Sequence, residues 1–139
     1  MYLKIVLIRH AQSIGNVQKR MEGQLSTALS PLGKQQAHQL AQALVLQTQA
    51  ASEETGHSQW PTHLYSSPLQ RADDTAQALL NALRQTNHPL HYQHSSCLQE
   101  IHQGIFQGLT WTEARENFPD LCSQLMQSLV WQPVPQAET

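Results

Sequence analysis

Charge of either sign is sparse in this chain. Lys and Arg number eight against ten Asp and Glu, a formal net charge of -2, and the cations are scattered rather than gathered into a stripe. A nucleic-acid surface needs a clustered basic field, so that class of partner is excluded. An anionic substrate would have to be held by a few focused cations. Only two cysteines occur, Cys97 and Cys122, far apart and at no metal-ligand spacing. They read as small buried apolar side chains of a reducing compartment rather than a disulfide framework. Long apolar runs are also missing. The N-terminal one, Tyr2 to Ile8, is interrupted by Lys4 and lacks a small-residue cleavage site, so it is neither a signal peptide nor a membrane span. A cytoplasmic protein with no membrane partner is the expectation.

At 139 residues the chain is expected to form one domain, 1–139, around a single core that buries on the order of two-thirds of the unfolded surface. Its eight histidines raise a metal site, and His88, His91 and His94 recur at every third position. Pro89 breaks any helix there, and in a strand His91 and His94 point to opposite faces, so the spacing does not gather ligands.

The feature that is present is a junction. The Ile/Val/Leu run from Tyr2 to Ile8 shows no helical spacing and reads as a buried strand, and Arg9 and His10 follow without a break. Such a strand delivers a cation and an imidazole to its carboxyl end, where open α/β sheets bind ligands. Ala11 to Leu29 is polar, with little apolar periodicity, and reads as a long loop over a site. Ser30-Pro31 then supplies an N-cap and a first-turn proline for a helix from Pro31 to about Thr48, and Ala51 to Ser58 reads as a loop. Thr62 to Ser66 is a strand candidate. Ser67-Pro68 repeats the cap-and-proline start, with Leu69, Ala72, Ala76, Leu79, Leu80 and Leu83 forming an apolar helix face. Leu90 to His94 can form a third strand. Thr110-Trp111-Thr112-Glu113 is a capping box, and a last helix runs from about Asp120 to Val130 with Leu121, Leu125 and Leu129 on one face. The tail from Trp131 carries no strand or helix pattern. Alternating strands and helices give the expected fold class: α/β, a mostly parallel sheet with helices on both faces.

Three strand ends then present Arg9-His10, Ser66-Ser67 with Arg71 one turn into the next helix, and Glu100. A parallel sheet gathers such ends on one edge, making a phosphate site with a nucleophile and an acid. These pieces resemble a family. Arg9-His10-Ala11-Gln12-Ser13-Ile14-Gly15-Asn16, then Gly23-Gln24-Leu25, then Leu29-Ser30-Pro31-Leu32-Gly33 is similar to the opening of the histidine phosphatase superfamily, which includes the cofactor-dependent phosphoglycerate mutases. Ser66-Ser67-Pro68-Leu69-Gln70-Arg71-Ala72 with Thr75-Ala76 resembles its second motif. Leu98-Gln99-Glu100-Ile101 with Gly104 and Gly108 resembles its third. The resemblance implies a three-layer α/β/α, phosphoglycerate mutase-like fold. It implies that His10 is phosphorylated on its imidazole, that Arg9 and Arg71 hold the phosphoryl oxygens, and that Glu100 protonates the leaving group. Asn16, Gly23 and Gln24 would line the substrate pocket. The implied ligand is a small phosphorylated substrate or inorganic phosphate, with no metal or other cofactor.

Departures from the pattern refine this. Ala11 stands where the family usually has glycine, an addition of small effect unless the backbone there needs positive φ. Asp73 and Asp74, near Arg71, are expected to face solvent. Ile101-His102-Gln103-Gly104 replaces the Arg-His-Tyr-Gly of the mutases, which favours hydrolysis and leaves a mutase the weaker expectation. The family's second histidine, on a later strand, has no counterpart after His102. Pro135 to Thr139 resembles the point of the family's Gly-Glu-Ser element. A domain lacking its last part leaves the first strand with an unpaired edge, a site for a homo-oligomer. Loss of one phosphoryl-stabilising group commonly costs about a hundredfold in rate, so weak or absent turnover is expected, with a non-catalytic anion-binding module as the alternative.

Overall fold

Helix starts are where the local chemistry of this chain is most explicit. In the computed structural model, which describes residues 3–129 and 132–138, Ser30 caps helix α2, Pro31–Thr55, by accepting from Gly33 N–H at 3.0 Å, with proline in the first turn. Thr110 and Glu113 form the expected reciprocal box at the start of α4, Trp111–Asn117: Thr110 N–H donates to Glu113 Oε2 at 2.7 Å and Glu113 N–H to Thr110 Oγ1 at 3.2 Å. A further box was not foreseen. Ser13 and Asn16 satisfy each other's backbone N–H groups and open the short helix α1, Ile14–Val17, inside what the sequence presented as a plain loop. Local side-chain capping of this kind needs no apolar periodicity.

Strand β1, His63–Ser66, pairs in parallel with β2, His91–His94, in the register His63 to His91 through Ser66 to His94. Helix α3, Gln70–Arg84, connects them and packs on β1, and α2 packs along α3. The α/β architecture with a parallel sheet is therefore as expected. Period-two alternation divides the sheet: His63, Tyr65, His91 and Gln93 are exposed on one side, while Ser66 is buried and Leu64 and Tyr92 are half-buried on the other. Leu69, Ala76, Leu79, Leu80 and Leu83 are buried with Ala37 and Ala41 of α2, the predicted apolar stripe of α3 together with its partner helix. A second cluster joins Phe106, Ala114 and Cys122, where α4 meets α5, Pro119–Gln127.

Several expectations require correction. Residues 3–8 form no strand among the described residues, and Leu3 and Leu7 are 84% and 91% exposed; Tyr2 lies outside the described residues. An apolar run becomes a strand only where a neighbour supplies ladder hydrogen bonds, and no described residue does. Helix α2 continues seven residues past Thr48 because Gln, Ala, Ser and Glu offer no breaker before Gly56, which ends it in the left-handed conformation at φ 66°. Ser67 does not cap α3. Leu69 is its N-cap residue, and Ser67 Oγ accepts instead from Leu69 N–H at 3.3 Å. Helix α5 stops at Gln127, and Leu129 is fully exposed, while Val130 lies outside the described residues, as do Trp131 and Thr139 of the tail. Cys122 is buried but Cys97 is exposed on the 3-10 turn Ser96–Leu98, which buries none of its residues. No described helix is long and apolar enough to cross a membrane.

Candidate active site

The buried guanidinium of Arg71 is the centre around which the motif residues assemble. It is the second residue of α3 and only 2% exposed, so its charge and donors must be met from within. Nη1 donates to Leu25 O at 2.6 Å, and Nη2 to Gly23 O at 2.7 Å and Glu100 Oε2 at 2.9 Å. Nε is 3.3 Å from His10 Nε2 and 4.0 Å from Glu22 Oε2. Segments 29 to 61 residues away in sequence thus converge on one side chain.

His10 is half-buried, and its two ring nitrogens are distinguished by their neighbours. Nδ1 lies 2.7 Å from Ala11 O. A carbonyl only accepts, so Nδ1 carries the proton and Nε2 presents its lone pair toward Arg71. The following Ala11 N–H donates to Thr75 Oγ1 at 3.1 Å, and that hydroxyl donates to Arg71 O at 2.8 Å, which ties the histidine segment to α3. Ala11 is not among the positive-φ residues, so its methyl group introduces no backbone strain.

Glu100 reaches the same point from the segment after β2. Its Oε2 accepts from Arg71, and its Oε1 accepts from Gln103 Nε2 at 3.0 Å. Gly23 contributes its carbonyl to Arg71. Asn16 and Gln24 stand in the surrounding wall: Asn16 Nδ2 donates to Glu22 Oε2 at 3.0 Å, Gln24 N–H to Gln107 Oε1 at 2.9 Å, and Gln24 Nε2 to Glu138 Oε2 at 3.1 Å. The tail therefore closes this wall, and His102 N–H donates to Glu138 Oε2 at 2.8 Å as Glu138 N–H donates to His102 O at 3.0 Å. Arg9 is the exception. It is exposed and bonds to no described residue, so His10, Arg71 and Glu100 are brought together while the second arginine is not.

Asp73 and Asp74 do not face solvent freely, contrary to expectation, and neither bonds to Arg71. Asp74 Oδ2 accepts from Leu29 N–H at 3.3 Å. Asp73 Oδ1 accepts from Tyr92 Oη at 2.5 Å and lies 2.8 Å from His94 Nε2. Partial burial raises the Asp73 pKa, but hydrogen bonds from Tyr92, His94 and Gln77 outweigh it and hold the carboxyl below its ordinary value. Burial and Asp73 together push the Tyr92 hydroxyl up to about 12.

Sequence reasoning missed Glu22, Thr75 and Gln103 as parts of this arrangement. Glu22 had one available signal, since it is the one acidic residue between Ala11 and Leu29 and immediately precedes Gly23. Thr75 lies within the second motif, one helical turn after Arg71, where a hydroxyl can reach the carbonyl four residues back.

An imidazole, a buried guanidinium and a half-exposed carboxyl brought to one point are the groups that phosphoryl chemistry uses. The chain belongs to the histidine phosphatase superfamily (branch 1), whose sequence pattern matches residues 5–139. It is 35% identical over 130 residues to the glucosyl-3-phosphoglycerate phosphatase of Mycobacterium tuberculosis, covering 94% of this chain and 51% of that protein. It is 32% identical over 125 residues to the metal-independent phosphoserine phosphatase of Arabidopsis thaliana, covering 90% and 46%. A solved mycobacterial glucosyl-3-phosphoglycerate phosphatase in complex with VO3 superposes with a TM-score of 0.66 at 32% identity, over 89% of this chain and 51% of that one. The same enzyme with inorganic phosphate gives 0.65 at 30% identity, over 94% and 52%. The chain spans about half the length of the curated relatives it matches.

Proposed function

We propose that this chain carries the phosphohistidine half-reaction centre of a phosphatase acting on a small phosphate ester. The observation that carries the reading is the placement of the His10 ring: Nδ1 lies 2.7 Å from Ala11 O, a carbonyl that only accepts, and Nε2 faces Arg71, which makes Nε2 the nucleophile. In the first step the Nε2 lone pair forms an N–P bond as the P–O ester bond breaks. The departing oxygen takes the bonding pair and a proton from the Glu100 carboxyl. In the second step water attacks phosphorus, Glu100 accepts its proton, the N–P bond breaks and phosphate leaves. Arg71, once it exchanges its contact with the Glu100 carboxyl for the incoming anion, supplies donors to the equatorial oxygens in both displacements. Gly23, Asn16 and Gln24 shape the wall that the ester group meets, and Arg9 joins the anion from its exposed position. Similarity to a metal-independent phosphoserine phosphatase and to a glucosyl-3-phosphoglycerate phosphatase solved with phosphate and with VO3 supports the reaction class.

A second reading, anion binding without efficient turnover, is favoured by two observations. Arg9 is not engaged, and the His10 lone pair and Arg71 donors already face each other or other protein groups. The lone pair cannot accept from Arg71 and attack phosphorus at once. The test is phosphate release from a generic ester by the wild type and His10→Ala. Release that exceeds background only when His10 is present supports the phosphatase, and equal release by both sinks the nucleophile assignment. Phosphate binding without His10-dependent release supports the second reading.

The compartment and assembly belong to the same proposal. Two free cysteines suit a reducing cytoplasm. The exposed apolar run, with Ile5 70% and Val6 56% exposed, is a segment suited to pairing with a second copy of the chain. Sedimentation of the wild type against Val6→Lys tests it: a concentration-dependent dimer abolished by the lysine is expected, and a wild-type monomer at all concentrations refutes it.

A further inference from the structure

Glu22 takes no part in the steps above, yet it and Arg71 are the two buried charged side chains among the described residues. Its carboxylate sits in a niche shaped for it. Oε2 accepts from Ser13 Oγ at 2.6 Å and from Asn16 Nδ2 at 3.0 Å, and Oε1 accepts from Thr27 Oγ1. Gly15 of α1 passes so close that a Cβ there would overlap the Glu22 carboxyl group. These contacts hold the group in place, unlike Glu100, whose side chain meets Arg71 Nη2 and is 42% exposed.

We infer that Glu22 sets the anion affinity of the pocket, acting as a fixed counter-ion that holds Arg71 in place while opposing the entry of a phosphoryl group. The inference rests on the phosphate-site reading above. Arg71 Nε is 3.3 Å from His10 Nε2 and 4.0 Å from Glu22 Oε2, so the carboxylate stands within about 7 Å of the nitrogen to which phosphorus would bond. Repulsion between like charges at that separation in a partly desolvated site is worth a tenfold or greater change in affinity. Two carboxylates flank one guanidinium, and only the exposed one can leave when an anion arrives. Glu22 is thus a positioning residue whose charge keeps product phosphate weakly held.

The experiment is inorganic phosphate binding by calorimetry, with thermal unfolding in parallel, on the wild type, Glu22→Gln and Glu22→Met. Glutamine keeps the shape, and methionine is a neutral side chain of similar length that adapts to irregular space. The expected result is phosphate bound about tenfold more tightly by the neutral variants, together with a lower unfolding temperature because three donors lose their charged acceptor. Affinity and stability then move in opposite directions, which a merely structural residue would not produce. Unchanged or weaker binding by folded variants overturns the inference and leaves the phosphate site standing. Failure of both variants to fold makes Glu22 structural and likewise overturns it. If neither wild type nor variants bind phosphate, the pocket reading itself falls and takes this inference with it.

Discussion

Replacing Arg71 with methionine removes the side chain on which the whole site converges, and the structure specifies what is left behind. At 2% exposure no water replaces the guanidinium. Gly23 O and Leu25 O lose donors at 2.7 and 2.6 Å, and the buried Glu22 carboxylate loses the cation 4.0 Å away. Removing one member of a buried ion pair costs about 3 to 5 kcal/mol, and two neutral acceptors left unpaired add about 1 kcal/mol or more each. Screening at the exposed Glu100 makes its own lost contact worth much less. The net expectation is a loss of about 5 kcal/mol or more, a large part of the stability of a domain this size. Urea unfolding followed by circular dichroism measures it. The double variant Arg71→Met with Glu22→Gln regains part of the loss, because the stranded charge is the largest component. A destabilisation under about 1 kcal/mol, or no recovery in the double variant, would refute the view that Arg71 is an internal hub rather than a surface anion clamp.

Other consequences are simpler. Leu80→Ala, at a position 2% exposed between α2 and α3, is expected to cost about 2 to 5 kcal/mol in the same unfolding assay. Thr110→Ala removes the capping box of α4 and is expected to cost about 1 kcal/mol; a neutral result would mean that the tertiary contacts of α4 hold it without the cap. Tyr92 ionises at about 12 in the folded chain, above the ordinary value near 10. The stability it contributes is therefore present below about pH 10 and lost as pH rises toward 12. Spectrophotometric titration that finds all tyrosines near 10 in the folded protein contradicts this. Asp73 has the opposite sign: its folded pKa is lowered, so its contribution is present above the ordinary carboxylate range and lost as pH falls through the folded value. Asp73→Asn is expected to flatten that acid-side slope.

The parts of this fold that were legible in the sequence are those fixed by local chemistry or by a strong period. The stripe from Leu69 to Leu83 placed α3, and the Ser30 cap with Pro31 and the capping box at Thr110 placed two helix starts within a residue. The strands at His63 and His91 followed from their position between breakers. The N-terminal run was not legible as what it is, because strand formation depends on a neighbour that the run itself does not encode. Gly56, not the polar composition before it, ended α2. At the site, His10, Arg71 and Glu100 could be grouped because motif order brings them to one edge. Glu22 could not, since its importance comes from burial against Ser13, Gly15, Asn16 and Thr27, a niche formed only when α1 folds over the loop. Arg9 shows the converse: adjacency to His10 in sequence did not secure contact with Arg71.

The central claim is that His10 Nε2 accepts a phosphoryl group. Mass spectrometry of the chain after brief incubation with a reactive small phosphoryl donor, kept under alkaline conditions that preserve phosphoramidates, tests it directly. The account predicts one acid-labile phosphoryl group on the peptide containing His10, with none on that peptide in His10→Ala. Acid-stable labelling elsewhere, or equal labelling of the His10→Ala chain, would contradict it.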